Sequence, residues 1–594
     1  MSTQKKSPSI TQGQTQKNVQ ASNNTNQQNT VLLQVHNFFL FTDGLKKKIT
    51  TKSSSSIIEV CGYLEITAQY RDIVNDQWGK VIVFKDADGI QHQYLMPNEI
   101  LLLSEKDILS PLVREGLVVY SRSDTVEYLK IVQPTNRARL AHKLGWHQFN
   151  GVTCFVLPNN QVVGNTMEPI IFDGTSVTPP INSKGTLKEW QKNVSMPASS
   201  SSRSILAICV ALASPLVSLG HRPNAGFHLR GNSSSGKSVA QAIGCSVIGS
   251  PDMKLTWRST DNGLEGIALA HNDLMLPLDE ISQADKNSIS TAIYDLMNGK
   301  QKIRAQRNGT PQSVQGWNLL VLSSGEESLK DLASSQGRKV KAGEEIRLAD
   351  IPADAGYGMG VNESLPQGFT NIQKYGTHIK GAVHEYYGTA FVEWLGVLVN
   401  LDQELFITDL NQRIKEFVND VVPKGTSQVK RVAESFALLA IAGESATQHG
   451  ITGWSDNVAT QGVKTCFKAW LSEFDVGRPK EEQTLISNAL NLLTMRQANF
   501  IKVSAESVPQ EHIDWIDFDE QHPQVFLVPR TSYESYFCLG KKTKYVDQVL
   551  KSVGVLLDVN QSINPKSRNG STVKVRKLVI PNEEAGTGSK VESQ

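Results

Sequence analysis

The residues with the most chemistry to offer lie between Ala225 and Ser238, where Gly231-Asn-Ser-Ser-Ser-Gly236-Lys237-Ser238 has the spacing G-x-x-x-x-G-K-S of a P-loop. In such a loop Gly231 and Gly236 let the backbone turn. The N–H groups along Asn232, Ser233, Ser234 and Ser235 then face the β- and γ-phosphates of a nucleotide. Lys237 is expected to reach those phosphates and Ser238 to ligate Mg²⁺, with the positive end of the next helix behind them. Farther along, Asp273-Leu-Met-Leu-Pro-Leu-Asp279-Glu280 is an apolar run closed by two acids. Asp279 is expected to hold Mg²⁺ through water and Glu280 to polarise the attacking water, the roles of a Walker B element. The run Trp317–Leu322 ends in Ser323-Ser324, and Ser324 at that strand tip can touch the γ-phosphate or the lytic water. Arg338 and Arg347 follow on a segment read as exposed. An arginine reaching a neighbouring subunit's nucleotide would stabilise the charge developed in phosphoryl transfer. On residues alone, either arginine reads equally well as a surface ion pair. The cofactors expected are ATP and Mg²⁺.

Such a loop needs a strand before it and a helix after it. Phe227 and Leu229 supply the first and VAQAIGCSVI the second. The apolar stretch Ile205–Leu219, broken by Pro215 and too short to span a bilayer, reads as a buried helix ahead of that strand. Lys254–Trp257 is a further strand candidate, and Asp261-Asn-Gly263 a turn. Pro277 interrupts the presumed central strand, where it removes a ladder donor and calls for a local bulge. After a helix at Ser288–Met297 come Lys300, Lys302, Arg304 and Arg307, flanking an Asn308-Gly309 turn with no acid between them. A hairpin of this charge suits a nucleic-acid backbone, where Lys and Arg release condensed counterions. By itself it would serve as an ordinary solvated hairpin.

The 594 residues allow several domains, and a net charge of +2 confines any nucleic-acid contact to local basic patches. Six scattered cysteines without a C-x-x-C pair argue against a zinc site and suit a reducing cytoplasm. No signal peptide or membrane span is expected. Residues 1–30, rich in Gln, Asn and Ser, and residues 582–594 are expected to be disordered tails. Residues 31–195 read as a β-rich domain. In it Lys80–Lys85 and Ile90–Leu95 form a hairpin about Asp88-Gly89, with further strands at Leu117–Tyr120, Val126–Ile131 and Val152–Leu157. A linker is expected at Asn193–Arg203, where Ser199–Ser202 is all serine. The nucleotide-binding core is assigned to 204–375 and a helical region with 3.6-residue periodicity to 376–480. In the last piece, 481–581, a helix (Tyr545–Val553) precedes two strand-like runs. Lys541–Pro581 holds nine Lys and Arg against two Asp, a pattern that suits a winged helix gripping duplex DNA.

Taken in order, GNSSSGKS, DNGLEGIALAHNDLMLPLDEI, WNLLVLSSGE, GEEIRLADIPAD and QVKRVAESFALLAIAGESATQHGITGW resemble the AAA+ ATPases of mobile elements, plasmids and phages. Their best-understood relatives are the MCM-like helicases of staphylococcal cassette chromosomes. The resemblance implies a multidomain α/β protein with an AAA+ core, a helical lid and a winged-helix-like domain. It further implies a hexamer that threads single-stranded DNA through a central channel during replication of a mobile genetic element. The resemblance puts Lys302, Arg304 and Arg307 on that DNA, makes Arg347 or, failing that, Arg338 an arginine finger, and makes Arg431 a sensor-2 residue. Many relatives fuse a primase domain that is not found here, so a separate primase is an implied partner. Where that family commonly has Asn as sensor 1, this strand ends in Ser323-Ser324.

Two other classes fit part of the pattern. A P-loop kinase or ligase acting on a small acceptor would turn over ATP without regard to DNA. An AAA+ loader or initiator shares every motif but does not unwind.

Overall fold

The computed structural model describes residues 30–72, 77–149, 151–174, 178–284, 289–302, 315–334, 342–423, 425–474, 480–495, 516–519, 522–563 and 572–579. The expected tails, the tip of the basic hairpin with Arg304 and Arg307, and Arg338 lie outside them. The chain divides into two compact units, 1–140 and 141–594.

In the first unit the Asp88-Gly89 hairpin is present. Trp78–Lys85 pairs antiparallel with Gln91–Pro97, and Gly89 takes the left-handed conformation of its turn (φ +79°). Leu64–Asp72 extends that sheet, and a four-stranded antiparallel sheet covers Leu33–Cys61. Two expected strands are corrected. Val126–Ile131 lies in a helix, Arg122–Ile131, and Leu117–Tyr120 makes only an isolated bridge from Val119 to Cys61. The helix prevails because Ser121 caps it, accepting from the Asp124 N–H, while Val126, Tyr128 and Leu129 share its buried face. The buried Lys80 ammonium closes its other end, donating to the carbonyls of Leu129 (2.5 Å) and Val132 (2.8 Å). The strand expected at Val152–Leu157 appears at Val152–Val156 in the second unit, paired with Gly145–Phe149.

The second unit is built on a five-stranded parallel sheet. Its strands are β1 (Ala225–Arg230), β2 (Leu255–Thr256), β3 (Leu274–Asp279), β4 (Leu319–Gly325) and β5 (Leu348–Pro352), ordered β2-β3-β4-β1-β5. All of β3 and β4 is buried, which accounts for the apolar runs that precede Asp279 and Ser323. No bulge accommodates Pro277, since β3 stays in register with β4 from Leu274 to Leu278. On the other side β2 pairs only with Leu278 and Asp279, so a donor at 277 has no ladder bond to lose there.

Helix α1 (Ser202–Ala213) is wholly buried, as its composition required. The linker expected at Asn193–Arg203 is not one. Ser201 caps α1, accepting from the Ser204 N–H and donating to the Val361 carbonyl (2.6 Å). Ser202 and Arg203 bind Glu363. A serine run reads as a spacer by composition, but hydroxyls satisfied by caps and backbone bury without cost. Helix α2 (Lys237–Ile248) follows the glycine loop. The turn expected at Asp261–Gly263 is instead the first turn of α3 (Asp261–Ala270), capped by Thr260. Helix α4 (Ile289–Asn298) leads toward the basic segment. Five helices follow β5: α5 (Ile372–Glu385), α6 (Thr389–Asn400), α7 (Gln403–Val421), α8 (Ser427–Gln448) and α9 (Val458–Glu473). They share the main core with α1, α2 and β1, including edge-on rings between Phe227 and Phe436.

The last module has its own core. Helices α10 (Lys480–Met495) and α11 (Thr543–Ser552) pack on an antiparallel sheet of β6 (Ile516–Asp519), β7 (His522–Pro529), β8 (Leu556–Ile563) and β9 (Val573–Val579), ordered β6-β7-β9-β8. The two expected strand runs are β8 and β9, and β6 and β7 extend their sheet. Some of the basic excess is neutralised, because Arg576 holds Asp547 through two bonds of 2.9 and 3.0 Å. Among the described residues no helix is long and apolar enough to cross a membrane.

Candidate functional site

The glycine loop sits at the carboxyl end of β1, the edge of an open parallel sheet where ligands collect. The loop is shaped by backbone conformations that few residues tolerate: Gly236 has φ +95° and Ser234 φ +66°. At Gly231 a Cβ would press on Ala353 at 3.1 Å. Helix α2 starts at Gly236 without a side-chain cap, so its first N–H groups are left to the loop mouth. The Ser235 hydroxyl is buried with no partner among the described residues. Lys237 is buried and its ammonium turns back across the loop, donating to the carbonyls of Gly231 (2.7 Å) and Asn232 (2.9 Å). These features fit a polyphosphate: uncapped helical N–H groups, an unpartnered hydroxyl and a lysine inside the loop.

Asp279 ends β3 at the same sheet edge. Its Oδ2 accepts from Lys254 at 2.5 Å, and its Oδ1 accepts from the Ser324 hydroxyl and the Glu280 N–H. Burial alone would raise its pKa, but the Lys254 and Ser324 bonds outweigh that and hold the carboxyl below its usual range. Glu280 follows in the left-handed region (φ 56°, ψ 71°), a conformation that costs about 1–2 kcal/mol for a non-glycine residue and gathers at functional sites. Ser324, at the tip of β4, also lies 3.1 Å from the Gln241 amide oxygen, a second acceptor for its single hydroxyl proton.

Gln241 is a residue that the sequence reading missed. It lies one turn after Lys237 on the same face of α2 and is fully buried. Its amide donates to the carbonyls of Leu278 (2.9 Å) and Leu322 (3.0 Å), tying the loop helix to the ends of β3 and β4. Its signal was an amide set among the mostly apolar residues that follow Ser238. His228 was missed too. It is buried in β1, with Nδ1 at 2.8 Å from the Ser323 hydroxyl, which also accepts from the Trp257 indole at 2.9 Å. Burial pushes His228 down to about 4, so the imidazole is neutral near pH 7.

Arg347 and Arg431 are not brought to this edge. They line a cavity of about 520 Å³ with Arg222, Lys300, Asn224 and Trp317, where β1 begins at Ala225. The six residues of β1 separate that cavity from the loop by roughly 20 Å. Four cations line the cavity, with no carboxylate among the described lining residues. Arg347 stacks on Tyr294 (4.5 Å) and donates to the Gly343 carbonyl (2.6 Å). Lys302 is 3.0 Å from Asp295 on α4, an acid the local sequence reading did not bring near it. The two ends of the basic segment pair antiparallel, Lys300 opposite Gly316, as a hairpin base requires.

The fold and site thus define a protein with a parallel α/β core carrying a glycine-lysine loop and a strand-end carboxylate on one sheet edge. Residues 38–315 match the family model described as Domain of unknown function (DUF927). No curated protein matches the chain in sequence. Among solved structures, the one described as "SCCmec type IV Cch - active helicase" is similar with a TM-score of 0.67 and 15% identity, over 92% of this chain and 98% of that one. This chain therefore shares the fold of that helicase. A structure of the NrS-1 C-terminal region also aligns, over 87% of this chain and 97% of that one, with 11% identity and a TM-score of 0.28.

Proposed function

We propose that the chain is an ATP-dependent, ring-forming AAA+ DNA helicase of the MCM-like kind, translocating on single-stranded DNA in the replication of a mobile genetic element. The observation that carries the reading is the meeting of the glycine loop, Lys237, Asp279, Glu280 and Ser324 at one end of a parallel sheet. The fold shared with the Cch helicase supports it.

The N–H groups of the loop and Lys237 would hold the triphosphate, and Ser238 and Asp279 would hold Mg²⁺. The divalent cation, when bound, supplies charge that offsets the phosphate oxygens. Glu280 aligns and polarises the attacking water, and Ser324 with Gln241 keeps Asp279 aimed. The positive cavity at the other sheet edge, with Arg347 and Arg431, would meet the nucleotide of a second copy. That sets this reading's arginine finger and sensor-2 residue in the neighbour. Hydrolysis would then move the basic hairpins with Lys302, Arg304 and Arg307 along one strand. The C-terminal module, read as winged-helix-like, would grip duplex DNA.

The test is unwinding of a forked duplex by the full chain with ATP, alongside Glu280→Gln. The wild type is expected to separate the strands. Glu280→Gln is expected to keep nucleotide binding and lose hydrolysis by about 10²–10⁴-fold. Hydrolysis stimulated by DNA without strand separation would make the chain a loader, and hydrolysis indifferent to DNA would make it an enzyme of small acceptors.

A further inference from the structure

In the sequence Lys254 has no role beyond opening a strand, yet it makes an ion pair with Asp279 at the site. Three features fix its position. A turn at Pro251–Met253 delivers it to the start of β2, and β2 is in register with the end of β3, Leu255 opposite Leu278 and Thr256 opposite Asp279. The Trp257 N–H donates to the Asp279 carbonyl (3.1 Å), and the Trp257 indole is held by Ser323. The backbone beside Asp279 is thereby pinned, and the ammonium of Lys254 meets Oδ2 at 2.5 Å. Both oxygens of Asp279 are thus engaged within the chain, Oδ1 by Ser324 and the Glu280 N–H, Oδ2 by a full positive charge.

We infer that Lys254 is a positioning residue that competes with the divalent cation for Asp279. The inference rests on the nucleotide reading of the loop. Lys254 keeps Asp279 oriented before nucleotide binds, and it would have to yield Oδ2 for the carboxylate to hold a divalent cation. An ammonium and a hydrated divalent cation cannot both take the same oxygen at full strength, and the coupling is reciprocal: what weakens one strengthens the other. Lys254 therefore sets how much free Mg²⁺ the site needs. A merely structural lysine would leave that requirement untouched.

The experiment is equilibrium binding of a fluorescent ADP analogue to the full chain, titrated with free Mg²⁺ from an EDTA-buffered start. Lys254→Met keeps the stem and removes the charge, and it is expected to lower the half-saturating Mg²⁺ by about five-fold or more. Lys254→Arg, which keeps the charge, is expected to stay within about two-fold of wild type. Lys254→Gln carries the same test if the Met variant loses its circular dichroism. A wild-type or raised Mg²⁺ requirement in the charge-removed variant would overturn the inference, even while Lys237→Ala abolishes binding. Absence of analogue binding by the wild type at every Mg²⁺ level would instead remove the nucleotide reading beneath it.

Discussion

The two ends of the parallel sheet in the second unit are built on opposite principles. At the carboxyl edge, charge is matched within the chain. Asp279 has Lys254 and Ser324, the Lys237 ammonium has two loop carbonyls, and Gln241 closes the gap between α2, β3 and β4. At the amino edge, Arg222, Lys300, Arg347 and Arg431 surround a cavity with no acid among its described lining residues. A preorganised edge suits chemistry, because dipoles that need not move at the moment of reaction do the most for it. An edge with surplus cations suits an anion brought from elsewhere. On the proposed reading, the second edge serves a partner's reaction rather than its own.

Arg347→Ala breaks the comparison most sharply. Turnover is expected to fall on the order of 10³-fold, the scale of a lost arginine finger. Mixed with Lys237→Ala chains, which lack the loop cation, it should regain part of that turnover, because an intact loop then faces an intact cavity. Failure of the mixture to recover would return Arg347 to its own chain.

His228 sharpens the account of the matched edge. Its folded pKa, depressed to about 4 from 6.5, means the unfolded chain binds the extra proton between those values. Its contribution is therefore full above pH 6.5 and lost as pH falls to 4. Asp273 and Asp350, both raised to about 6 chiefly by burial, titrate in the opposite sense over a similar range. The informative quantity is thus a difference between variants. The stability advantage of wild type over His228→Asn should shrink by about 3 kcal/mol from pH 7 to pH 4 in denaturant titrations. Gln241→Ala should cost about 2 kcal/mol at pH 7 by the same measurement, for the strand-end carbonyls it leaves buried.

How much of this was legible in the chain follows from the range of the forces involved. The loop, its strand and its helix could be read because G-x-x-x-x-G-K-S constrains neighbouring backbone, and the buried strands because apolar runs report burial on both faces. Helix capping decided two outcomes that composition pointed away from. Ser121 turned an alternating run into a helix, and Ser201 turned an apparent spacer into the sealed start of α1.

Local sequence determined the chemistry available: the N–H groups of a glycine loop, a lysine among them, a carboxylate at a strand end, and arginines farther on. Only tertiary structure decided the partners. Lys254 and Ser324 meet Asp279 from different strands, and Gln241 joins them from the loop helix. Arg347 and Arg431, distant in sequence, share one cavity with Arg222. Side-chain bonds across strands depend on register and burial, which are fixed by the packing of the whole core and are not written in any one segment.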